Sequence, residues 1–421
     1  MSDRNGGGRG WGRDANLRAL LDRLAEAGPR SRRDLARDLG LSLASVSRMA
    51  EALMAAGLVA ESEKVGSGRG RPHALLALRG EAAVVVGVSV RSVSVRLRLA
   101  TLAGEVLHAA RVDRVQGPAE DLVAQLRSLV VAASGSHAAG RPVAAVVVGI
   151  SGAWDAARAR VLAAPNLPTL EGVDLGAALQ AGLGDLVLGG SVALDNDVNL
   201  AALGEQARGA ARGVSDFYYV SLGSGVGGAA VLEGRLRRGA HGLTGELGYL
   251  PVGPAGASVP LESVIGRKPL EQWVRERRRA AAPTAATAAA ARPGGPTLAG
   301  RGASAGAVSP DPDPAHGDVF ALLASDDEEF CEHVAGHVAV ALAGVTVALD
   351  PELIVLGGGM SRRGDGWTER VRRHLGALVP HVPEVAASQL GRDAALLGAI
   401  AHATELGRAA MVAHHFATPA T

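Results

Sequence analysis

Residues 31–57 decide the fold of the N-terminal part of the chain and read SRRDLARDLGLSLASVSRMAEALMAAG. Ser31 and Asp34 have the spacing of a capping box, so a helix is predicted to begin there and to end at Gly40. Ser42 is predicted to cap a second helix directly after this turn. The pattern is typical of a helix-turn-helix. Apolar residues at helical spacing predict the buried faces, which are Leu35 and Leu39 in the first helix and Val46, Met49, Ala50 and Leu53 in the second.

The flanking residues complete a small domain. Downstream, residues 58–60 and 74–78 are short apolar runs on either side of a polar, Gly-rich segment at 62–72, the pattern of two strands joined by a wing. We therefore predict a winged helix-turn-helix domain at residues 14–80. Upstream, another amphipathic helix closes near Gly28, and its buried stripe is Leu17, Leu20, Leu21 and Leu24.

The second helix of the pair is predicted to enter the major groove of DNA, because its outward face is polar near its N-terminal end. Arg48 has the donors to pair with guanine O6 and N7, and the serines suit phosphates or base edges. The residues predicted to contact DNA from this helix are Ser42, Ala44, Ser45, Ser47 and Arg48.

The wing carries Arg69 and Arg71 on a thin, Gly-rich backbone. This shape fits a narrow minor groove, where A·T-rich DNA concentrates negative potential. The alternatives are a flexible basic linker for this segment and a protein-binding role for the small helical domain.

The charge of the chain is unevenly distributed. Residues 1–80 hold 14 Lys and Arg against 9 Asp and Glu, so this stretch is +5 while the remainder is −4. A basic head on an acidic body favours an anionic partner for the head.

The cysteine count and the hydropathy pattern exclude several classes of protein. Cys331 is the only cysteine, so the chain has no intrachain disulfide and no cysteine cluster for zinc. The apolar stretches are interrupted before they reach the roughly 18–20 residues that a membrane span needs. The N-terminus is polar and Gly-rich and carries no apolar leader. The sequence predicts a cytoplasmic protein with no membrane partner.

From about Glu81 buried strands alternate with helices, which is typical of an α/β architecture. Residues from about 277 to 316 are rich in Ala, Pro, Gly, Thr and Ser and are predicted to form a low-complexity insert. The predicted strands are 83–90, 93–99, 143–150, 191–194, 217–222 and 353–356. The predicted helices are 118–133, 198–212, 327–348, 362–378 and 392–408.

Seven motifs follow one another along this body, and their order and spacing resemble those of the ROK family of repressors, open reading frames and sugar kinases. The resemblance runs from about Asn16 to the C-terminus, outside the insert. The motifs are VGISG at 148–152, APNLP at 164–168, LDNDVNLAALGE at 194–205, LGSGVGG at 222–228, GAHG at 239–242, GELG at 245–248 and LGGG at 356–359.

The resemblance implies an actin-like ATPase fold over residues 81–421, with two RNase-H-like lobes and a sugar between them. The head and its Gly-Arg-Pro tail are similar to those of the family's repressors of sugar catabolism genes, of the xylose and N-acetylglucosamine repressor type.

The family's kinases use a carboxylate base and two Gly-rich phosphate turns. By the resemblance, Asp197 occupies the position of the base and Gly223-Ser224-Gly225 that of the second turn. The first turn, D-x-G-G-T in the family, is replaced by Ser89-Val90-Arg91-Ser92-Val93. Its side chains are expected to block backbone approach to a phosphate. Residues 83–99 are therefore predicted to be a structural hairpin, and the chain to have no catalytic residues.

The family's zinc pattern, G-E-x-G-H followed by C-x-C-G-x-x-G-C-x-E, is also missing. The chain has GELGY at 245–249 and GASVPLE at 256–262, which lack every cysteine and the histidine. Structural zinc needs about four N or S ligands. We predict no metal site and no cofactor.

Four residues resemble, by position, the family's contacts to sugar hydroxyls. Carboxylates and an amide suit this task because they accept from, and donate to, adjacent hydroxyl groups. The alternative is inherited scaffold, in which the same groups cap helices or bond within the protein; Tyr249, in place of the family's histidine, keeps that alternative open. The four residues are Asn196, Asp197, Glu246 and Glu262.

The sequence therefore predicts a transcription regulator that binds a double-stranded DNA operator as a homodimer or homotetramer and responds to a sugar or sugar derivative. Two alternatives stay open. One is a sugar kinase with an attached DNA-binding head, and the other is a regulator that uses its body only to oligomerise.

Overall fold

The computed structural model describes residues 7–62, 74–223, 225–254, 256–281, 328–359 and 365–416. The predicted wing tip, with Arg69 and Arg71, lies outside these residues. The N-terminal head contains three helices, α1 (Gly7–Ala27), α2 (Arg32–Leu39) and α3 (Leu43–Ala55). Its three strands are β1 (Arg30–Ser31), β2 (Val59–Ser62) and β3 (Leu75–Leu78), which pair in the order β1-β3-β2.

The caps of the helix pair are those that the sequence predicts. Ser31 Oγ accepts a hydrogen bond from the Asp34 amide at 3.1 Å, and Ser42 Oγ accepts one from the Ser45 amide at 3.1 Å. Gly40 has a left-handed φ of 64°, which turns the chain between α2 and α3 at little steric cost.

The predicted apolar stripes of α1 and α3 are buried, as is Leu35. One expectation for the head needs correction. Leu39 is half-buried, because it lies in the last turn of α2. Helix α1 begins at Gly7, upstream of residue 14.

The described residues divide into two compact units, Met1–Ser215 with Ala229–Thr244 and Arg392–Thr421, and Asp216–Gly228 with Gly245–Gly391. In the first unit a five-stranded sheet has the order β10-β7-β4-β5-β6. Strands β4 and β7 are buried along their whole length, which explains their continuous apolar runs. The strands of this unit are β4 (Val84–Val90), β5 (Ser94–Thr101), β6 (Val106–Asp113), β7 (Val143–Ile150), β8 (Ala153–Asp155), β9 (Arg160–Leu162) and β10 (Val192–Asn196).

Edge strand β6 was not predicted, because its mostly exposed residues give no buried run. Residues 83–99 form the expected hairpin of β4 and β5. The helices of the first unit's body are α4 (Ala119–His137), α5 (Leu175–Leu183), α6 (Asp197–Arg208) and α11 (Ala394–Phe416).

Helices α6 and α11 cross with their backbones in contact. A Cβ atom added at Gly398 would overlap the carbonyl oxygen of Leu200, and one added at Gly204 would overlap that of Ala394. Only glycine fits at these two positions.

The head and the body of the first unit share one hydrophobic core. Leu17 and Leu53 of the head lie in the same cluster as Ile400 and Met411 of α11. Helix α11 therefore continues to Phe416, beyond its predicted end at residue 408, because its last turns are buried against the head.

A second sheet has the order β13-β12-β11-β16-β17. Its strands are β11 (Phe217–Leu222), β12 (Val226–Leu232), β13 (Arg235–Arg237), β16 (Leu353–Gly358) and β17 (Glu384–Ala387), and a small hairpin is formed by β14 (Pro251–Val252) and β15 (Val259–Pro260). The remaining helices are α7 (Glu262–Ile265), α8 (Arg267–Ala281), α9 (Glu328–Leu349) and α10 (Asp365–Gly376).

Helix α8 continues into the first residues of the predicted low-complexity insert. Residues 277–281 are helical, and the Arg277 guanidinium lies over the Trp273 ring, 4.8 Å from its centroid. The rest of the predicted insert lies outside the described residues.

Among the described helices, α9 is long and apolar enough by composition to cross a membrane. Its side chains at Phe330, Val334, Val338 and Leu342 are buried within the protein.

Candidate functional site

Helix α3 presents a free polar face at its N-terminal end. Ala44 and Arg48 are exposed, while Ser45 and Ser47 are half-buried. The hydroxyls of Ser42 and Ser45 lie 2.9 Å apart and are bonded to each other, so Ser42 serves first as a cap. The structure thus brings the five predicted residues onto the first two turns of one helix.

The sequence prediction missed Leu43, which is 49% exposed at the start of α3. An apolar side chain there suits contact with a thymine methyl group. The sequence feature that could have indicated Leu43 is its position directly after the Ser42 cap, at the start of the predicted recognition helix.

In the described part of the chain, most arginines of the head are paired with carboxylates, but Arg48 is not. Arg23 pairs with Asp38 at 2.9 Å and Arg32 with Glu61 at 3.1 Å. Within the described residues neither Arg48 nor the exposed Arg33, near the start of α2, has a salt-bridge partner. Both guanidinium groups are therefore available to an anionic partner. The sequence did not indicate Arg33, because the apolar pattern of α2 predicts only the buried face of that helix.

The second cluster of polar side chains lies at the carboxyl edge of the first sheet. Ile150 of β7 is paired with Val90 of β4 on one side and with Asn196 of β10 on the other, and all three strands are parallel. The next residue of each strand therefore leaves the sheet at the same edge, the usual place of ligands in open α/β sheets. These next residues are Arg91, Ser151 and Asp197.

Asp197 is the central acid of this edge. The Ser151 hydroxyl donates to Asp197 Oδ2 at 2.9 Å. Burial raises the pKa of Asp197, and the charge of Arg91 together with the Ser151 hydrogen bond opposes that rise. Backbone hydrogen bonds of Asp197 and Val198 oppose the rise as well. A carboxylate has several acceptor positions, so Asp197 can still accept from a further hydroxyl group.

Asn196 is engaged within the protein. Its Oδ1 accepts from the amides of Val198 and Asn199 at 2.6 and 3.3 Å and so caps α6, and its Nδ2 donates to the Gly152 carbonyl at 2.9 Å. These bonds fix the first turn of α6 and so position Asp197. They agree with the scaffold alternative for Asn196.

The turn that replaces the first phosphate loop is closed by hydrogen bonds. The Arg91 amide donates to the Ser94 carbonyl at 2.9 Å. Arg114 Nε and Gln116 Nε2 donate to the Ser92 carbonyl at 3.0 and 3.1 Å. Arg114 is buried, and burial lowers its pKa. The turn is fixed by side chains and carries none of the glycines that a phosphate-binding backbone needs.

Glu246 and Glu262 belong to the second unit. Burial raises the pKa of Glu262, whose carboxylate lies against Gly225 and Gly248. Glu246 adds to the effect of burial in raising the pKa of Tyr218. Tyr249, in place of the family's histidine, is 62% exposed. Thus Asn196 and Asp197 lie together in the first unit, and the two glutamates lie in the second.

Two anchors that the motifs did not reveal hold residues 235–244 in the first unit. Arg238 donates to Asp195 Oδ2 through Nε at 3.0 Å and Nη2 at 2.6 Å. His241 Nδ1 lies 3.6 Å from the buried Asp155 carboxylate. These contacts join residues far apart in sequence, so no local sequence pattern predicts them.

Family models match both parts of the chain. The ROK family model matches residues 85–405, and the IclR helix-turn-helix domain model matches residues 16–63.

Two curated relatives illustrate what this chain is similar to. A glucokinase from Halalkalibacterium halodurans is 32% identical over 219 residues, which are 49% of this chain and 62% of that protein. A xylose repressor from Caldicellulosiruptor bescii is 27% identical over 224 residues, 53% of this chain and 55% of that protein. Each alignment spans less than two thirds of the relative.

The crystal structure of a ROK family transcriptional regulator, a homologue of the E. coli MLC protein, has the same fold over nearly the whole chain. The TM-score is 0.76 at 21% identity, with 96% of this chain and 99% of that chain covered. The predicted α/β fold, a helix-turn-helix head on an actin-like ATPase body, is confirmed.

Proposed function

The chain belongs to the ROK family, and we propose that it is a cytoplasmic transcription regulator that binds operator DNA through α3 and responds to a sugar without phosphorylating it. The observation that carries the proposal is the exposed N-terminal face of α3, where Arg48 has no salt-bridge partner among the described residues. A recognition helix needs such a face to reach base edges.

The proposed absence of phosphoryl transfer rests on the turn at residues 89–93, which replaces the family's first phosphate turn. Catalysis of this reaction depends on backbone amides and a metal that stabilise charge on the transferred phosphoryl group. Arg91 and Ser92 stand in place of the glycines, and Arg114 holds the turn closed. The retained Asp197 supports the runner-up function, a sugar kinase with a DNA-binding head.

A coupled enzyme assay across common hexoses and amino sugars separates these two functions. We expect negligible ATP-dependent phosphorylation, because loss of the turn removes several kcal/mol of transition-state stabilisation. Turnover near about 1 s⁻¹, within the ordinary kinase range, would establish the kinase instead.

The proposed sugar site is centred on Asp197, in the first unit. A carboxylate that is partly removed from water is costly without donors. Sugar hydroxyls are suitable donors for such a group.

The packing within the first unit offers a route from this site to the head. Asp197 is the first residue of α6, which contacts the backbone of α11. Arg408 of α11 is 8% exposed, and it donates through Nε to Asp22 of α1 at 2.6 Å and through Nη1 to the Leu102 carbonyl at 3.2 Å. A shift of α6 on sugar binding would therefore reach the head through two direct contacts.

Selection of bound fragments from genomic DNA, followed by footprinting, tests the DNA-binding function. We expect protected operators at specific sites, and the genes beside them would indicate the sugar. Binding that shows no preference between genomic fragments and random DNA of equal length would contradict the proposal.

Titration with sugars tests the effector site. Asp197→Asn should weaken sugar binding about tenfold or more, since a buried hydrogen bond to a charged group is worth about 1.5–3 kcal/mol. Operator affinity without sugar should change less than twofold, because Asp197 lies outside the head. If no sugar binds and Asp197→Asn leaves regulation in cells unaltered, the body acts only in oligomerisation.

A further inference from the structure

Arg91 is a cation held at the carboxyl edge of the first sheet without a counter-charge in contact. Its Nε atom is buried and has no hydrogen-bond partner among the described residues. It influences Asp197 electrostatically, yet no ion pair within 4.0 Å joins the two side chains.

Other arginines of the same sheet region are satisfied by the protein. Arg96 and Arg98 both pair with Asp393. Arg114 donates to the Ser92 and Val115 carbonyls and to Gln116. Arg91 differs from these neighbours because its buried Nε atom has no partner among the described residues. A buried unsatisfied donor is destabilising, and a ligand that accepts its hydrogen bond would remove that cost.

The backbone beneath Arg91 is rigid. Its own amide is bonded to the Ser94 carbonyl, and Arg114 and Gln116 hold the next carbonyl, that of Ser92. The strand register fixes Arg91 and Asp197 two strands apart, on either side of Ser151. Adjacent strands lie about 4.8 Å apart, so the two charged groups are spaced to bind different parts of one small molecule.

We infer that the sugar bound by this protein carries a phosphate or a carboxylate group, which the Arg91 guanidinium binds while Asp197 accepts a sugar hydroxyl. The inference rests on the proposed sugar response and specifies its ligand. A guanidinium presents forked N–H donors that match the oxygens of either anion. Ser151, which already donates to Asp197, separates the acidic end of the site from the basic end.

Calorimetry on the full chain with matched pairs of ligands tests the inference. The pairs are glucose with glucose 6-phosphate, N-acetylglucosamine with its 6-phosphate, and glucose with glucuronate, and inorganic phosphate alone serves as a further ligand. We expect the anionic member of at least one pair to bind tenfold or more tightly than the neutral member. The phosphate and carboxylate pairs show which anion is preferred.

Variants at Arg91 assign the preference to this side chain. Arg91→Gln should bring the affinity ratio of the pair close to one, and Arg91→Lys should retain part of it because the charge remains. Arg160→Gln, which removes an exposed arginine of the same unit, is the control and should keep the full ratio. Thermal melting of each variant shows whether it is folded.

The outcomes separate the inference from the function it rests on. If neutral and anionic sugars bind equally, or Arg91→Gln keeps the preference, the inference is wrong while the sugar response stands. If no member of any pair binds, both are overturned. If inorganic phosphate binds as well as the sugar phosphate and Asp197→Asn has no effect on either, the site binds anions without recognising sugar, and the inference is again wrong.

Discussion

At the scale of single residues, function depends on which arginines the protein leaves unpaired. Most guanidinium groups of the head are paired with carboxylates, as Arg23 is with Asp38. Arg33 and Arg48 have no such partner within the described residues, and both are exposed. A side chain with no partner in the protein loses little when it turns to DNA, so these two positions should dominate the contribution of the helix pair to binding.

Arg48→Ala should lower operator affinity by roughly 1–3 kcal/mol, the range for a bidentate contact to a base, and should relax the sequence preference at one position. Arg33→Ala should instead weaken binding to all sequences and reduce the salt dependence, as expected for a phosphate contact. Fluorescence anisotropy with specific and scrambled duplexes at several salt concentrations measures both.

Arg160→Ala is the matched control, because it removes one exposed arginine far from the head in sequence. Changes at Arg69 and Arg71 should act chiefly at A·T-rich flanks. If Arg48→Ala left operator affinity intact while the two wing changes abolished it, α3 would not be the recognition helix.

At the scale of elements, glycine allows α6 and α11 to cross in backbone contact. Gly398→Ala should destabilise the protein by about 1–3 kcal/mol or more, because the added methyl group overlaps the Leu200 carbonyl and the helices must separate. Gly344→Ala makes the same change on α9 where nothing lies within 4 Å, and it should stabilise by about 0.5–1 kcal/mol through helix propensity. Urea denaturation compares them; equal effects of the two changes would contradict the close crossing.

The contact of α9 with α10 predicts a dependence of stability on pH. Glu332 accepts hydrogen bonds from His374 at 2.6 Å and from Arg370 and Arg373, which outweigh the opposing effect of burial and lower its pKa to about 2. A depressed folded-state pKa adds stability that is complete above the ordinary value of 4.5 and is lost as the pH falls toward 2.

Glu332→Gln should therefore destabilise the protein by about 1–2 kcal/mol at pH 7, a figure reduced for the partial exposure of the group. The difference from wild type should shrink between pH 5 and pH 3 in urea titrations. A difference that stays constant over this range would mean that packing, and not the charge of Glu332, accounts for the effect.

At the scale of the whole molecule, the head is anchored to the body by a shared core and by the pair of Arg408 with Asp22. We propose that the protein acts as a homodimer or homotetramer, in which two anchored heads present two α3 helices related by a two-fold axis. The operator should then be a near-palindrome whose half-sites lie about 34–36 Å apart or a multiple of it. Footprinting of operators lengthened by half a helical turn measures this, and unchanged affinity for them would argue against rigidly spaced heads.

The sequence by itself determined the helices and strands that have clear local patterns, because such patterns depend on neighbours a few residues away. The caps at Ser31 and Ser42 follow from local spacing, as do the apolar stripe of α3 and the fully buried strands β4 and β7. Family motifs added the position of Asp197. Short or exposed elements such as β1 and β6 were missed, because they carry too little apolar periodicity.

Only the tertiary structure decided what those residues contact. Arg91 and Asp197 share one edge because of the register of β4, β7 and β10, and register is set by pairing between segments distant in the chain. The joining of α11 to α1 through Arg408 is of the same kind. Such contacts depend on the packing energy of the whole unit, which no single stretch of sequence determines. A sequence pattern can therefore identify a charged residue, but it cannot identify the side chain or the ligand that binds it.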